Sequence, residues 1–208
     1  MSDDYWDKLW SNPNIEEYKG YVKGYATWKP KFVEIFSQYR VKTVCDAACG
    51  FGAYSVMLAK HGFNISGFDI SGESVNLTQK MLSEFDCSFN DYKVCSISKI
   101  EYDDESFDAV VAHAVIDHIS LADAQIALSE LFRILSTNGL LFLTFDPLSD
   151  EDINNKHSVL QDGSRLYEEG LLFRHYTDDE ISTLLSGKKI VYSSKNLRGE
   201  RELVLQKQ

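Results

Sequence analysis

Short apolar runs alternate along the chain with longer segments that carry apolar residues at helical spacing. The runs predict strands, because turn residues bound them and they are too short for helices. They cover residues 43–46, 64–69, 92–95, 107–113 and 140–145. Segments 73–85 and 121–135, the second behind a cap at Ser120 and Asp123, predict amphipathic helices. This alternation is typical of an α/β fold with a mostly parallel sheet.

Both ends of the chain depart from this alternation. Residues 1–40 carry aromatic residues at helical spacing and predict an N-terminal helical cap. Residues 147–176 are polar and predict a long, irregular connection, which inside a compact domain is usually functional or mobile. Thr177 opens a helix, and two strands, 189–194 and 202–206, then follow, joined by a turn.

We therefore expect a single domain over residues 1–208, with 1–40 as a cap and 147–176 as an insertion on the substrate side. The expected fold is a Rossmann-like, doubly wound sheet, mostly parallel with an antiparallel C-terminal strand and with helices on both faces.

A turn with two glycines follows the first strand. Asp46 ends the apolar run, Gly50 and Gly52 come next, and residues 53–60 are compatible with a helix. A glycine turn between strand and helix lets the backbone approach a ligand closely. The second strand ends in Asp69, and an acid at that place can bind the two hydroxyls of a ribose. The pattern predicts a site for a nucleoside-type cofactor.

These residues resemble the first two motifs of class I S-adenosylmethionine (SAM) dependent methyltransferases. Asp46-Ala-Ala-Cys-Gly50-Phe-Gly52 is similar to their Asp-x-Gly-x-Gly-x-Gly pattern, with Ala48 at the first glycine, and Asp69 resembles their second-strand acid. The resemblance covers about residues 40–206. It implies methyl transfer with SAM as cofactor and S-adenosylhomocysteine as product.

The resemblance also assigns the rest of the cofactor pocket. Ser96 stands where the family has an acid that accepts a hydrogen bond from the adenine amino group, and Ile97 is the apolar neighbour of the adenine ring. The segment that includes His113 resembles the stretch beside the methionine part of SAM. The implied cofactor-binding residues are Asp46, Ala48, Gly50, Gly52, Asp69, Ile70, Ser96, Ile97 and His113.

Three residues are candidates for the transfer step. Tyr18 and Tyr21 lie in the cap, which in this class of enzymes often forms a lid over the methyl group. His118 lies beside the cofactor segment, and a histidine can act as a base near neutral pH. Simple packing of the tyrosines and a structural hydrogen bond of the histidine remain open alternatives. In the insertion, Arg165 and Arg174 are candidates to orient a polar or acidic acceptor.

Composition narrows the partners and the compartment. The net charge is −11 and no cluster of Lys and Arg appears, so nucleic acid is not expected and a small-molecule acceptor is favoured. No apolar run is long enough for a membrane span, and the acidic N-terminus lacks the features of a signal peptide. The four cysteines form no Cys-x-x-Cys pair, and no cluster of metal ligands is visible. We expect no metal and a cytoplasmic protein; the sequence favours no particular oligomeric state.

Two other functions remain open. An NAD-binding oxidoreductase would share the strand, turn and helix, but it prefers a third glycine where Ser55 stands, and it is not expected to end in an antiparallel pair of strands. A SAM-binding module without catalysis would carry the same motifs as an enzyme.

Overall fold

A central seven-stranded sheet organises the computed structural model, which describes residues 3–208 without the side chains of Asp3, Asp4 and Glu151. Residues 1 and 2, which open the predicted cap and the acidic N-terminus, lie outside the described residues. The strands are β1 (Thr43–Ala47), β2 (Asn64–Asp69), β3 (Tyr92–Val94), β4 (Phe107–Ala112), β5 (Leu135–Phe145), β6 (His157–Val159), β7 (Arg165–Tyr167), β8 (Leu172–Phe173), β9 (Lys189–Lys195) and β10 (Arg201–Gln206). The helices are α1 (Asp3–Trp10), α2 (Ile15–Thr27), α3 (Lys31–Gln38), α4 (Ala53–Lys60), α5 (Gly72–Glu84), α6 (Leu121–Ile134), α7 (Asp150–Asn154) and α8 (Asp178–Leu184), and a 3₁₀ turn spans Ile116–His118.

The large sheet has the strand order β3-β2-β1-β4-β5-β10-β9. Its first five strands are parallel, whereas β10 pairs antiparallel with both β5 and β9. This confirms the predicted fold class, including the antiparallel C-terminal strand. The strand order reverses between β1 and β4, and in open α/β sheets ligands bind beyond the carboxyl ends of the strands at such a point.

Both faces of the sheet are buried, which explains the continuous apolar run of β4. Val110 belongs to the apolar cluster that α6 covers with Leu131. The next residue, Val111, belongs to the cluster on the opposite face, where Phe32 of α3 stacks on Phe142 with ring centroids 3.9 Å apart. Successive residues of one strand therefore serve two separate layers of helices.

The insertion is more regular than the sequence predicts. Instead of an irregular connection, residues 147–176 form α7 and a small antiparallel sheet, β6-β7-β8. Gly163 and Gly170 have φ values of 85° and 95° and lie in the two turns of this sheet. Strands of two or three residues carry too little alternation to be recognised in a sequence, so the prediction of irregular structure is wrong here.

Within the described part of the chain, no helix combines the length and the apolar character needed to cross a membrane.

Candidate active site

A cavity of about 520 Å³ lies over the carboxyl ends of β1, β2 and β4. Most of the predicted cofactor-binding residues line it: Asp46, Ala48, Gly50, Asp69, Ile70, Ser96, Ile97 and His113. The predicted base His118 lines it as well. The sheet therefore brings together residues that are far apart in the sequence, at the edge where the strand order reverses.

The glycine turn is fastened on both sides. Gly50 donates its N–H to Asp69 Oδ2 at 3.0 Å, and its carbonyl oxygen accepts hydrogen bonds from Ser74 Oγ at 2.7 Å and Thr78 Oγ1 at 3.0 Å. A Cβ at Gly50 would meet nothing closer than Trp10 of α1, at 3.7 Å. The backbone at Gly50 is thus held rigidly against α5 while it faces open cavity.

Gly52 plays a different part from the one the sequence suggests. It does not line the cavity. Its φ of 83° lies in the left-handed region, and a Cβ there would come within 3.0 Å of Thr78 Cα on α5. Gly52 is required because the turn enters α4 through that backbone conformation and packs closely on α5. The predicted cofactor contact at Gly52 is not supported by this geometry.

The carboxylate of Asp69 is almost completely buried and is already engaged by the backbone. Oδ1 accepts from Ser71 N at 3.0 Å, and Oδ2 accepts from Gly50 N. Burial raises the pKa of Asp69, although these two backbone hydrogen bonds oppose the shift. Each carboxylate oxygen has two lone pairs, so each keeps acceptor capacity toward the cavity.

Asp46 is the second buried carboxylate on the cavity wall. Burial raises its pKa to about 6, even though Ser55 donates its hydroxyl to Asp46 Oδ2. Tyr92 in turn donates to Ser55 Oγ at 2.7 Å. Ser55 is fully buried, and these two hydrogen bonds orient its hydroxyl. A dinucleotide-binding fingerprint has a glycine at this position for close packing, whereas here Ser55 holds Asp46.

The wall around Ile97 is partly polar. Ser96, which replaces the family acid, is half-buried and accepts from Ser98 N at 3.2 Å. Asp123, at the start of α6, also lines the cavity and accepts from Ser120 Oγ at 2.7 Å. From the sequence, Asp123 is recognised only as part of a helix cap. The sequence pattern does not show which side chains at the start of α6 face the cavity.

His113 is paired with an acid that the sequence did not single out. Its Nε2 lies 3.3 Å from Glu200 Oε1, in the turn between β9 and β10. Asn196 Nδ2 donates to the other carboxylate oxygen of Glu200 at 2.6 Å. The imidazole also stacks on Tyr54, with ring centroids 4.3 Å apart and an interplanar angle of 28°. Sequence reasoning missed Glu200 because the antiparallel C-terminal strands bring it to β4 from far along the chain.

His118 uses one ring nitrogen for structure. Its Nδ1 lies 3.0 Å from the carbonyl oxygen of Leu172, which can only accept, so Nδ1 donates. Trp6 approaches the imidazole edge-on, with ring centroids 5.4 Å apart. Burial lowers the pKa of His118. His118 therefore makes a structural hydrogen bond and also lines the cavity, as the two alternatives from the sequence suggested.

The cap covers the cavity with aromatic residues other than the predicted pair. Trp6, Trp10 and Tyr25 line the cavity, whereas Tyr18 and Tyr21 do not. Tyr18 packs on Phe51 with ring centroids 4.9 Å apart, and the side chain of Tyr21 is largely exposed. The predicted catalytic roles of Tyr18 and Tyr21 are thus not supported, since the helical spacing identified α2 but not the residues that face the site.

The two predicted acceptor-orienting arginines do not reach the cavity. Arg174 is buried in an ion pair with Glu180 at 2.6 Å and donates to the carbonyl oxygen of Asp162, while Arg165 lies in β7. Of the described residues between 147 and 176, none lines the cavity. Arg174 joins the insertion to α8 through Glu180, and the prediction that the two arginines orient a polar or acidic acceptor is not supported.

In residues 3–208, apart from the side chains left undescribed, no group of three His, Cys, Asp or Glu side chains is arranged to hold a metal ion.

Comparison with known proteins shows which family the middle of the chain matches. Residues 45–143 match the sequence profile of a methyltransferase domain family. The chain is 32% identical over 105 residues to the mitochondrial ubiquinone biosynthesis O-methyltransferase of Bos taurus, which covers 49% of this chain and 28% of that protein. The chain spans about half or less of the length of the first curated relatives that it matches.

Solved structures share the fold. A SAM-dependent methyltransferase from Methanosarcina mazei superimposes with a TM-score of 0.72 and 20% identity, over 86% of this chain and 98% of that one. The 1,6-didemethyltoxoflavin-N1-methyltransferase of Burkholderia thailandensis, with bound 1,6-didemethyltoxoflavin and S-adenosylhomocysteine, gives a TM-score of 0.65 and 15% identity, over 93% of this chain and 81% of that one. The matching domain over residues 45–143, the glycine turn and the strand order together support a class I SAM-dependent methyltransferase.

Proposed function

We propose that this protein transfers a methyl group from SAM to a small-molecule acceptor and releases S-adenosylhomocysteine. The observation that carries the proposal is the cavity itself. Its floor is formed by the glycine turn and by the acids at the ends of β1 and β2, and its roof by aromatic side chains of the cap. One cavity of about 520 Å³ therefore offers both a nucleoside site and an apolar compartment beside it.

The proposed cofactor position follows from the wall residues. The free lone pairs of Asp69 suit the two ribose hydroxyls. Ile97 offers an apolar surface for the adenine ring, with Ser96 and Asp123 as polar neighbours. Asp46, whose negative charge is poorly solvated, suits the positively charged methionine part of SAM, beside His113.

Methyl transfer from SAM requires mainly that the protein align the acceptor with the methyl group and exclude water. The sulfonium of SAM supplies a reactive methyl group, so the main tasks are to hold the acceptor in line with it and to exclude water. Trp6, Trp10 and Tyr25 cover the cavity from the cap and serve the second task. We assign the cap, residues 1–40, to the acceptor side of a single domain on this basis.

A small acceptor agrees with the charge of the site and with the names of similar proteins. The net charge is −11, and among the described side chains that line the cavity there is neither Lys nor Arg, so nucleic acid is a poor partner. The bovine relative is named a ubiquinone biosynthesis O-methyltransferase, and the Burkholderia structure holds 1,6-didemethyltoxoflavin. The four cysteines are free thiols, which supports the cytoplasm as the proposed compartment.

Calorimetric titration followed by a turnover assay tests the proposal. SAM and S-adenosylhomocysteine should each bind once per chain, while NADH should not bind, because Ser55 occupies the place of the third dinucleotide glycine. Formation of S-adenosylhomocysteine with a panel of small acceptors should then show catalysis. Binding of NADH instead of SAM would overturn the proposal in favour of an oxidoreductase. Binding of SAM with no turnover on any acceptor would favour a SAM-binding module.

A further inference from the structure

We propose that His113 removes a proton from the acceptor, that Glu200 orients His113 for this step, and that the acceptor is a neutral aromatic hydroxyl compound. This inference rests on the proposed methyl transfer and extends it to the acceptor class. His113 would be a catalytic residue, because it borders the cavity, and Glu200 a positioning residue, because it acts through His113.

The pairing with Glu200 determines which nitrogen of His113 is free. An ionised carboxylate can only accept hydrogen bonds, and Nε2 lies 3.3 Å from Glu200 Oε1, so this pairing favours the tautomer that carries its proton on Nε2. In a neutral imidazole the other nitrogen, Nδ1, then holds a lone pair. Among the described residues Nδ1 has no hydrogen-bond partner. The structure therefore presents a ring nitrogen able to accept a proton.

Glu200 is held so that it remains ionised and in place. Burial alone would raise the pKa of Glu200, but the hydrogen bonds from His113 and Asn196 outweigh it, and the pKa lies below its usual range. Asn196 fixes the second oxygen at 2.6 Å. A carboxylate fixed behind an imidazole in this manner orients the ring and stabilises the imidazolium that forms when a proton arrives.

The ring plane of His113 is fixed as well. Tyr54 of α4 stacks on it with an interplanar angle of 28°, and both side chains line the cavity. Asp46 at the end of β1 and Asp146 beyond the end of β5 contribute further negative charge near His113. The side chain of His113 is 29% exposed, so a proton that it takes up can pass on to solvent.

The other histidine of the cavity lacks such support. His118 has no carboxylate partner among the described residues, and its Nδ1 is occupied by the carbonyl oxygen of Leu172. Burial lowers its pKa, so the imidazolium of His118 would be poorly stabilised. His113 is therefore the better base of the two.

The walls indicate what the base acts on. Among the described side chains of the cap, those that line the cavity are all uncharged, namely Trp6, Leu9, Trp10 and Tyr25. Neither Lys nor Arg is found among the described lining residues, so an acceptor that arrives as an anion would be poorly held. A neutral aromatic compound fits these walls. Its hydroxyl needs a base, because a phenol with a pKa of about 10 is largely protonated near neutral pH.

The reaction then balances as follows. The proton of the hydroxyl moves to His113 Nδ1 while the oxygen attacks the methyl carbon of SAM. The new bond is oxygen to carbon, and the bond that breaks is carbon to sulfur. Its electron pair stays on sulfur, so the positive sulfonium becomes the neutral thioether of S-adenosylhomocysteine. The imidazolium of His113 then releases its proton to water.

The histidine pair can be tested without an acceptor. In ¹⁵N-histidine-labelled protein, with His113 assigned from the spectrum of His113→Gln, NMR should show the Nε2–H tautomer. Glu200→Gln should convert this into a mixture of tautomers. Glu202→Gln is a matched control on β10, since Glu202 accepts from Ser194 and not from a histidine. An Nδ1–H tautomer in the wild type would overturn the pairing.

Turnover with named probes tests the acceptor class. Catechol and 1-naphthol are the aromatic hydroxyls, and benzylamine, thiophenol and benzoate are their counterparts. We expect methylation of the hydroxyl probes, a loss of about 100-fold in kcat for His113→Gln and of about tenfold for Glu200→Gln, a KM for SAM that is unchanged in Glu200→Gln, and wild-type rates for Glu202→Gln. Restoration of part of the loss by Glu200→Asp would separate positioning from a merely structural role.

Two results would overturn the inference and leave the proposed function intact. One is SAM binding with methyl transfer confined to benzylamine, thiophenol or benzoate. The other is a wild-type kcat in His113→Gln. Failure of the wild type to bind either SAM or S-adenosylhomocysteine in the calorimeter would instead refute the proposed function itself.

Discussion

Two buried carboxylates, Asp46 and Asp69, face one cavity from neighbouring parallel strands, and burial raises the pKa of each. Neither has a cationic side chain as partner among the described residues; both are held by hydroxyl or backbone donors. A ligand that carries hydroxyl donors and a positive charge would therefore stabilise both carboxylates. SAM has both the hydroxyls and the positive charge.

Substitution of Asp69 by alanine should weaken SAM binding by tenfold or more. A hydrogen bond to a charged group contributes about 1.5–3 kcal/mol, and in the proposed site the ribose would make up to two of them. Because Asp69 also holds Gly50, the double variant Ser74→Ala/Thr78→Val serves as control: it loosens the same turn from α5 and leaves the carboxylate in place. Calorimetry should show the larger loss for Asp69→Ala. Equal affinity of Asp69→Ala and wild type would refute the ribose assignment.

Substitution of Asp46 by asparagine should stabilise the unliganded protein at neutral pH and weaken SAM binding. The pKa of Asp46 is about 6 when folded and 3.8 in the reference state, so the folded protein binds the extra proton between these values. The contribution of Asp46 to stability is therefore fully present below pH 3.8 and is lost as the pH rises through about 6.

Thermal melting from pH 4 to pH 8 measures this difference. The melting temperature of Asp46→Asn should exceed that of the wild type by an amount that grows up to about pH 6 and then stays constant. A difference that does not depend on pH would show that Asp46 does not titrate in this range.

At the scale of elements, the turn between β1 and α4 works because α5 supports it. Three hydrogen bonds fasten Gly50 to Asp69, Ser74 and Thr78, and Gly52 packs against the backbone of Thr78. The turn that we propose to bind the cofactor is thus held by hydrogen bonds to β2 and α5. The two glycines are needed for different reasons. Gly50 faces the open cavity, whereas Gly52 packs closely on α5.

Substitution of Gly52 by alanine should lower stability and SAM affinity together. A left-handed φ in a residue other than glycine costs on the order of 1–3 kcal/mol, and the close approach of Thr78 Cα adds to this. Gly62→Ala is a matched control, because Gly62 has a φ of 87° but nothing within 4 Å of its Cβ position. Thermal melting should place Gly52→Ala below Gly62→Ala. Equal melting temperatures would mean that α5 does not support the turn.

The elements divide clearly into those that the sequence predicts and those that it does not. Strands such as β4 are buried on both faces, and their continuous apolar runs are visible in the sequence. Asp69 was found because its place at a strand end has a defined geometry. Arg174 was assigned to the wrong environment and Glu200 was missed, since both depend on how distant segments pack, and local pattern carries no record of that packing.

At the scale of the whole molecule, the cap both completes the core and closes the cavity. Val22 of α2 is fully buried, so α2 belongs to the core. In contrast, α1 contributes Trp6 and Trp10 to the cavity and is linked to α5 by a hydrogen bond of 2.6 Å from Ser71 Oγ to Asp7. Ser71 also donates its N–H to Asp69, so the same residue contacts both α1 and the proposed ribose site.

Removal of residues 1–12 should reduce turnover more than SAM binding and leave the fold stable. This truncation deletes α1 and keeps Val22, whereas a cut at residue 28 would also remove part of the core. Initial rates, SAM affinity and thermal melting should be measured on the same preparation. A stable truncated protein with full turnover would show that α1 is not a lid over the acceptor.

A structure with S-adenosylhomocysteine bound tests the central claim most directly. The account predicts the ribose hydroxyls on Asp69, the adenine beside Ile97, the methionine part near Asp46, and the sulfur facing the compartment between His113 and the aromatic cap. Density for the ligand at this place would establish the site and show the space left for the acceptor. A ligand bound elsewhere, or a cavity that stays empty at saturating S-adenosylhomocysteine, would contradict the account.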